Sequence, residues 1–215
     1  MFPGLRWLGV TAGLVLLLAG CPAPPDPGFD NVPDTGSPAG AAGGGGGASA
    51  VSGGTDGAGS EQASSDFEQL LAEQFPTCTE PVEGDAWRAE ILRLVNLERE
   101  RAGLQPLVRD ELLEQQATQY ACEMIHWDFF AHENPQTGTD LRQRAAEFGY
   151  DYLIIGENLA AGQTSPAQVM SDWMASPGHR ENILHPEFTE LGVGVRSGGR
   201  YGTYWVQEFG CPLRP

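Results

Sequence analysis

Positive charge is scarce in this sequence: 12 basic residues stand against 29 acidic ones, and the net charge is −17. Proteins that bind nucleic acid need clustered basic side chains to neutralise phosphates, so this composition argues against that class. It argues equally against attachment to a membrane through a polybasic surface patch. An acidic exterior keeps a protein soluble and makes copies repel one another, so we expect a monomer.

The familiar one-segment signatures of catalysis and metal binding are also missing. The sequence contains no His-Glu-x-x-His helix of the zinc peptidases and no Gly-x-Ser-x-Gly elbow of the serine hydrolases. Its four cysteines lack the spacing of a zinc ribbon, and no internal repeat is present. A catalytic or binding site in this protein must therefore be assembled from residues in separate segments.

The N-terminal apolar run, Leu8 to Leu18, is too short for a comfortable membrane span and has the length of a signal peptide core. It follows the basic Arg6 and ends in Leu18-Ala19-Gly20-Cys21, which resembles a bacterial lipobox. The alternative is an ordinary secretory signal with a chance cysteine. We predict a lipoprotein signal peptide over residues 1–20 and lipidation of Cys21, which would anchor the protein to a membrane of the bacterial envelope. Pro22 replaces the Asp that retains some lipoproteins in the inner membrane, which favours the outer membrane.

Residues 21–64 are predicted to form a disordered tether, because glycine, proline and small residues leave little apolar area to offset the entropy of ordering. Residues 65–81 are predicted as a linker with a short helix from Ser65 to Phe75, in which four apolar residues recur at helical spacing. Pro76 ends this helix, which either packs on the domain or floats. The globular domain is predicted over residues 82–213.

Four helices are predicted in the first part of this domain. Their ranges are about Asp85–Ala102, Asp110–Trp127, Asp140–Phe148 and Ser165–Ala175. We expect Thr139 to cap the third helix, and Ser165 and Pro166 to begin the fourth. Ser176-Pro177-Gly178 is expected to break the fourth helix, and Arg180 and Asn182 to bridge the loop that follows.

A β-hairpin is predicted at the end of the domain. Its strands are Leu191–Arg196 and Tyr201–Phe209, and its turn is Ser197-Gly198-Gly199-Arg200. Because the helices come first and the hairpin last, the expected fold class is α+β with an antiparallel sheet.

Several blocks between about Asp85 and Gly210 resemble, in order, the CAP superfamily, in particular its bacterial SCP-like branch. These blocks are Leu94-Val95-Asn96, Gly103-Leu104, Phe129-Phe130-Ala131-His132, Gly156-Glu157-Asn158, Trp173 through Leu184, Gly192-Val193-Gly194-Val195 and Tyr204 through Gly210. The superfamily includes the cysteine-rich secretory, antigen 5 and pathogenesis-related proteins. The resemblance implies an α-β-α sandwich, with a small antiparallel sheet between helical layers and a cleft on one side.

The cleft of this family is often lined by two histidines and two glutamates. His132 matches the first histidine, and Glu157 matches the glutamate of the Gly-Glu-Asn block. This sequence departs from the pattern at the other two positions, where Tyr204 replaces a histidine and Ser176 replaces the second glutamate. His179 belongs to the bacterial branch and would refill the cleft, so the predicted cleft residues are His132, Glu157, His179 and Tyr204.

The three titratable residues of this set, His132, Glu157 and His179, allow three interpretations. They form a structural polar network, or they bind a divalent metal such as zinc with an open coordination position, or they supply a general base with an orienting partner. The sequence does not identify a catalytic residue.

Cysteine counting predicts a disulfide. With Cys21 acylated, three cysteines remain in an oxidising compartment. Cys122 lies on the polar side of the second helix, where a free thiol would be exposed, so we predict that it is paired. Either Cys78 or Cys211 is its partner, or those two tie the ends of the domain together.

Two classes of function follow. The favoured one is a non-enzymatic binding or interaction module that uses the cleft for a lipid, a glycan or a surface protein. The alternative is a metal-dependent hydrolase or peptidase that uses the same cleft. The three tryptophans at 87, 173 and 205 are expected in the core or the cleft wall, and His126 and His185 at a helix end and in a loop.

Overall fold

The computed structural model describes residues 13–16 and 57–213, and it describes side chains from residue 62 to 213. Cys21, the predicted lipidation site, and most of the predicted signal peptide and tether lie outside the described residues. Within them, no helix has both the length and the apolar character needed to cross a membrane.

A five-stranded sheet forms the centre of the molecule. Its strands are β1 (Gly13–Leu16), β2 (Val108–Arg109), β3 (Tyr152–Ala161), β4 (Glu190–Gly198) and β5 (Gly202–Pro212). They are arranged in the order β1-β3-β5-β4-β2. All neighbouring pairs are antiparallel except β2 and β4. The predicted hairpin of β4 and β5 is therefore confirmed, and it supplies two adjacent central strands.

Six helices cover the two faces of the sheet within the described residues. They are α1 (Gly57–Gln74), α2 (Gly84–Arg101), α3 (Glu111–His126), α4 (Leu141–Glu147), α5 (Pro166–Ala175) and α6 (Pro177–Ile183). Apolar side chains of α2, α5 and α6 form one core with the sheet, and those of α1, α3 and α4 form two clusters on the opposite face. The α+β fold class and the helical layers around a small sheet are confirmed.

Side-chain caps explain where three of these helices begin. Asp110 Oδ1 accepts a hydrogen bond from the Leu113 amide at 3.0 Å, and Ser165 caps α5 with Pro166 in its first turn, as predicted. The cap of α4 is Asp140 rather than the predicted Thr139. Asp140 and Gln143 form a reciprocal capping box there, which satisfies two otherwise unpaired amides.

Four elements were absent from the sequence-based prediction, namely the short strands β1 and β2, strand β3 and helix α6. Strand β3, which carries Glu157, has an apolar start, a polar middle and a continuous buried stretch from Ile154 to Ala160, so its residues do not alternate clearly. Helix α6 follows α5 after the single residue Ser176, because Pro177 needs no hydrogen-bond donor in the first turn of a helix. Arg180 and Asn182 consequently lie on a helix and not in a loop.

The linker helix packs on the domain. It begins at Gly57, eight residues before the predicted start at Ser65. Leu71 and the adjoining Phe75 are buried against α3, and Glu68 pairs with the buried Arg196 of β4. A disulfide joins Cys78 to Cys122 of α3. The pairing of Cys122 with one of its two candidate partners is confirmed, although Cys122 is buried rather than on a polar surface.

Two glycines let α3 lie directly on β4. A Cβ atom added at Gly192 would stand 2.2 Å from the main-chain carbon of Leu113, and one at Gly194 would stand 2.4 Å from that of Ala117. On the opposite face the predicted core tryptophans are confirmed, since Trp173 and Trp205 are fully buried. Trp87 stacks on Trp205 with ring centroids 5.1 Å apart.

Candidate functional site

Two glutamates face the same helical layer from the centre of the sheet. Glu157 of β3 is directly opposite Glu208 of β5 in the strand register. Both side chains are fully buried. Because successive side chains of a strand point to opposite faces, Asn158 and Gln207 form a second polar pair on the other side of the sheet.

His132 contacts the first of these glutamates. Its Nδ1 lies 2.6 Å from Glu157 Oε1, and one fifth of the His132 side chain is exposed. An ionised carboxylate only accepts hydrogen bonds, so we assign the proton of this contact to Nδ1 of the imidazole. The arrangement fixes both the orientation and the tautomer of a histidine at the protein surface.

Arg144 of α4 connects the two residues a second time. Its Nη2 donates to Glu157 Oε2 at 2.5 Å, and its Nη1 donates to the main-chain oxygen of His132 at 3.1 Å. Burial alone would lower the pKa of Arg144, but attraction to Glu157 and Glu208 raises it. His132, Glu157 and Arg144 therefore form a closed ring of hydrogen bonds whose positive charge comes from the guanidinium.

Tyr120 of α3 packs against this ring of hydrogen bonds. The Arg144 guanidinium lies 3.4 Å from the centre of the Tyr120 ring, and the Tyr120 hydroxyl donates to the Ala131 oxygen at 2.6 Å. Burial raises the pKa of Tyr120 well above its usual range, and the nearby Glu157 raises it further. Tyr120 therefore remains a neutral donor, and it fixes the main chain immediately before His132.

Glu208 has a different environment from Glu157. Its Oε2 accepts a hydrogen bond from Gln116 of α3, while its Oε1 has no hydrogen-bond partner among the described residues. Burial raises the pKa of Glu208 well above its ordinary value, and the Glu157 charge raises it further, while Arg144 lowers it. The two carboxyl groups thus share one cation, and burial beside a second carboxyl group favours the neutral form of Glu208.

Asparagines tie α6 to the other face of the sheet. Asn158 Nδ2 donates to the main-chain oxygen of His179 at 3.1 Å and to Gln207 Oε1 at 3.0 Å. Asn182 Nδ2 donates to the Glu157 main-chain oxygen at 3.1 Å and to Asn158 Oδ1 at 2.9 Å. The main chain of His179 is therefore held beside β3, and its side chain is fully buried.

Buried Arg99 holds the segment that follows α6. Its guanidinium donates to four main-chain oxygens, those of Gln105, Ile183, His185 and Phe188, at 2.8 to 3.0 Å. Burial lowers the pKa of Arg99 to about 10, which still leaves it charged at neutral pH. His185 lies in this segment and His126 ends α3, as the sequence indicated.

The four predicted cleft residues are distributed unequally around this site. His132 and Glu157 are in direct contact, and the His179 main chain is one hydrogen bond from Asn158. Tyr204 pairs with Ala161, four residues along β5 from Glu208, which corresponds to about 13 Å. It packs with α1 and α3, and burial raises its pKa to about 12. Tyr204 therefore does not join the ring around Glu157.

The donor set at Glu157 does not fit a divalent metal ion. Both carboxylate oxygens already accept short hydrogen bonds, one from His132 and one from a buried guanidinium. Among residues 62–213, no group of three or more histidine, cysteine or acidic side chains is arranged to hold a metal. A divalent cation at Glu157 would stand next to the Arg144 charge, which is unfavourable where water is excluded.

Sequence reasoning missed the residues that complete this site, namely Tyr120, Arg144, Gln116 and Glu208. Glu208 carried a usable signal, because an acidic residue between Val206 and Phe209 in a buried strand requires a partner. Arg144 and Gln116 lie on amphipathic helices among other polar residues. Only the docking of α3 and α4 on the sheet distinguishes them from solvent-exposed residues.

A separate groove of about 390 Å³ lies between α1, α2 and α3. Its charged lining includes Arg88, Arg109 and Glu114, which form ion pairs with one another and with neighbouring acidic residues. None of the ring residues lines this groove.

Comparisons with known proteins agree with the resemblance noted in the sequence. Residues 92–209 match the model of the CAP family, described as the cysteine-rich secretory protein family. An uncharacterised protein of Bacillus subtilis strain 168, YkwD, is 36% identical over 156 residues, which are 72% of this chain and 59% of that protein. An uncharacterised membrane protein of the same bacterium, YlbC, is 32% identical over 56% of this chain and 33% of its own length. The chain thus spans between one third and three fifths of these relatives.

The solved structures that are similar to this fold include two from bacteria. One is an extracellular protein containing an SCP domain from Bacillus anthracis strain Ames, with 28% identity and a TM-score of 0.53 over 59% of this chain and 40% of that one. The other is an outer surface protein from Borrelia burgdorferi, with 23% identity and a TM-score of 0.53 over 57% of this chain and 90% of that one. The second likeness supports the fold alone.

Proposed function

The chain belongs to the CAP family, the cysteine-rich secretory protein family, and on this premise we propose that it is a non-enzymatic binding module of the bacterial cell envelope. The observation that carries this proposal is the closed ring of His132, Glu157 and Arg144. Each oxygen of the Glu157 carboxylate is committed to a partner within the protein. A carboxylate held in this way orients a side chain for recognition and is poorly placed to act as a nucleophile or a base.

His132 is the member of the ring that meets the solvent. Its position is held through both the imidazole and the main-chain oxygen, so a ligand would bind it without a cost for ordering the side chain. We propose a lipid, a glycan or a surface protein as the ligand, bound at the surface where the His132 side chain is exposed. Nucleic acid is a poor candidate, given the net charge of −17.

Anchoring at the membrane completes the proposed role. Acylation at Cys21, followed by the glycine-rich tether, would hold the domain outside the cytoplasm and close to the lipid surface. The outer membrane is the favoured location. An extracellular protein with an SCP domain is among the structural relatives, which supports an extracytoplasmic position for this one.

The binding proposal is tested with the full chain, its His132→Ala variant and His126→Ala as a matched control. His126 is an exposed histidine at the end of α3, away from the ring. Binding is measured to vesicles of phosphatidylethanolamine and phosphatidylglycerol, to purified peptidoglycan and to biotinylated envelope proteins. We expect His132→Ala to weaken binding to one of these by at least about tenfold, or 1.4 kcal/mol. Equal binding by all three proteins in every assay would contradict the proposal.

A hydrolase remains the second candidate because of one specific contact. His132 is oriented by a carboxylate oxygen at 2.6 Å, as is the general base that activates the nucleophile in many hydrolases. Ester and peptide libraries are incubated with the same three proteins. Turnover that His132→Ala abolishes and His126→Ala retains would establish this alternative and overturn the binding proposal.

The anchor is tested separately. Cells that express the chain are grown with an alkyne-tagged fatty acid, and the wild type is compared with Cys21→Ser. We expect label and membrane fractionation for the wild type, and loss of both for the variant. An unlabelled wild-type protein in the soluble fraction would instead indicate an ordinary secretory signal.

A further inference from the structure

The ring around Glu157 contains its own cation. Arg144 is only 3% exposed and lies within 2.5 Å of the fully buried carboxylate. It also binds the main-chain oxygen of His132 and stacks on Tyr120, so three separate contacts fix its position. A guanidinium held this firmly is part of the site and not a mobile surface charge.

The charge balance of this buried group leaves no room for a second cation. Glu157 and Arg144 form an ion pair in which both side chains are buried. A metal ion bound to Glu157 would compete with His132 or Arg144 for one of its oxygens. If Arg144 lost this contact, its charge would remain buried without the carboxylate that pairs with it, which is costly.

We infer that Arg144 takes the place of a divalent metal at this cleft, so that the site works without a metal and its guanidinium actively excludes one. This inference deepens the proposed binding function and rests on it only for the role of His132. It also makes a physical prediction, since removal of the guanidinium would free Glu157 Oε2 beside a histidine. A carboxylate and an imidazole that meet at a partly open site are ligands that zinc accepts.

The experiment measures zinc alone, in the full chain, after treatment with a chelator and dialysis. Arg144→Met is compared with Arg142→Met, a matched control on the same helix whose arginine is exposed and pairs with Asp140. Calorimetry and elemental analysis give the affinity and the stoichiometry. We expect the wild type and Arg142→Met to retain no zinc at this site. Arg144→Met should bind about one zinc ion per chain, with an affinity at least about tenfold higher than that of the wild type. The double variant Arg144→Met, Glu157→Gln should lose this zinc binding.

Two outcomes would overturn the inference. The first is that the wild-type protein binds one zinc ion per chain and that either His132→Ala or Glu157→Gln abolishes this binding. This measurement does not require any Arg144 variant to fold. The second is a folded Arg144→Met protein that gains no zinc. If Arg144→Met does not fold, Arg144→Lys is measured instead. This variant retains the positive charge and should exclude zinc as the wild type does. Zinc binding by Arg144→Lys would also count against the inference. Neither result depends on whether a lipid, glycan or protein binds at His132, so the inference and the proposed function fail separately.

Discussion

Glu157 and Glu208 are directly opposite one another on adjacent strands, and both are fully buried. Two like charges at this separation in a dry interior repel strongly, and a single guanidinium, that of Arg144, is close to both. Burial and the neighbouring carboxylate therefore raise the pKa of Glu208 and favour its neutral form. The geometry also indicates that Glu208 is the neutral member of the pair, because the contacts with Arg144 and His132 are made by Glu157.

Replacement of Glu208 by Gln should change the pH dependence of stability. Its folded pKa is raised above the unfolded value, so its contribution to stability is complete below the unfolded pKa and is lost as pH rises through the folded pKa. A glutamine imitates the protonated acid and keeps the oxygen that Gln116 contacts. We expect Glu208→Gln to gain stability over the wild type as pH rises from about 4.5, by at most about 1.4 kcal/mol per pH unit.

Urea unfolding at pH 5 and pH 8 measures this effect. Glu147→Gln, which alters an exposed carboxyl group on α4, serves as the control. A Glu208→Gln protein whose stability follows that of the wild type at both pH values would show that Glu208 is ionised in the folded state.

Arg99→Met should destabilise the domain severely. The substitution leaves four main-chain oxygens without their donor, and unsatisfied buried acceptors cost about 1–3 kcal/mol each. We expect a loss of at least about 3 kcal/mol by thermal or urea unfolding. Arg101→Met, two residues further along α2 and largely exposed, should change stability by less than about 0.5 kcal/mol. Similar losses for the two variants would refute a special role for Arg99.

Removal of the Cys78–Cys122 disulfide should loosen the attachment of α1. The bond closes a loop with a sequence separation of 44 residues. Loop-closure entropy for that length corresponds to about 4 kcal/mol, and native disulfides usually contribute about 2–5 kcal/mol. The double variant Cys78→Ala, Cys122→Ala is compared with the wild type by urea unfolding and by hydrogen exchange. Unchanged exchange along α1 would mean that Leu71, Phe75 and the Glu68–Arg196 pair hold this helix unaided.

Gly194→Ala should separate α3 from β4. Its new methyl group would stand 2.4 Å from the main chain of Ala117, and neither the helix nor the strand can yield by rotating a side chain. We expect a loss of more than about 2 kcal/mol. Gly138→Ala, with φ of +73° and nothing within 4 Å of the added methyl group, should lose only about 1 kcal/mol from backbone strain. A milder effect at Gly194 than at Gly138 would show that α3 moves away freely.

The helices were easier to predict than the site. Asp110, Ser165 and Pro166 act within one turn of their own position, so the sequence reports them directly. Thr139 was the wrong cap because Asp140, its neighbour, competes for the same amides and forms the reciprocal box with Gln143. Strand β3 was missed because its polar centre finds partners in other elements, which hides the alternation expected of a strand.

The sequence by itself determined the order of helices before a hairpin and the need for a partner at Cys122, while its resemblance to a known family predicted that His132 and Glu157 share one site. These features depend on local spacing or on blocks of neighbouring residues. Only the tertiary structure decided that Arg144 supplies the charge at Glu157, that Glu208 is its neighbour and that Tyr204 lies elsewhere. The physical reason is that a buried charge is satisfied by whichever group packs against it, and packing brings together residues that no pattern along the chain connects.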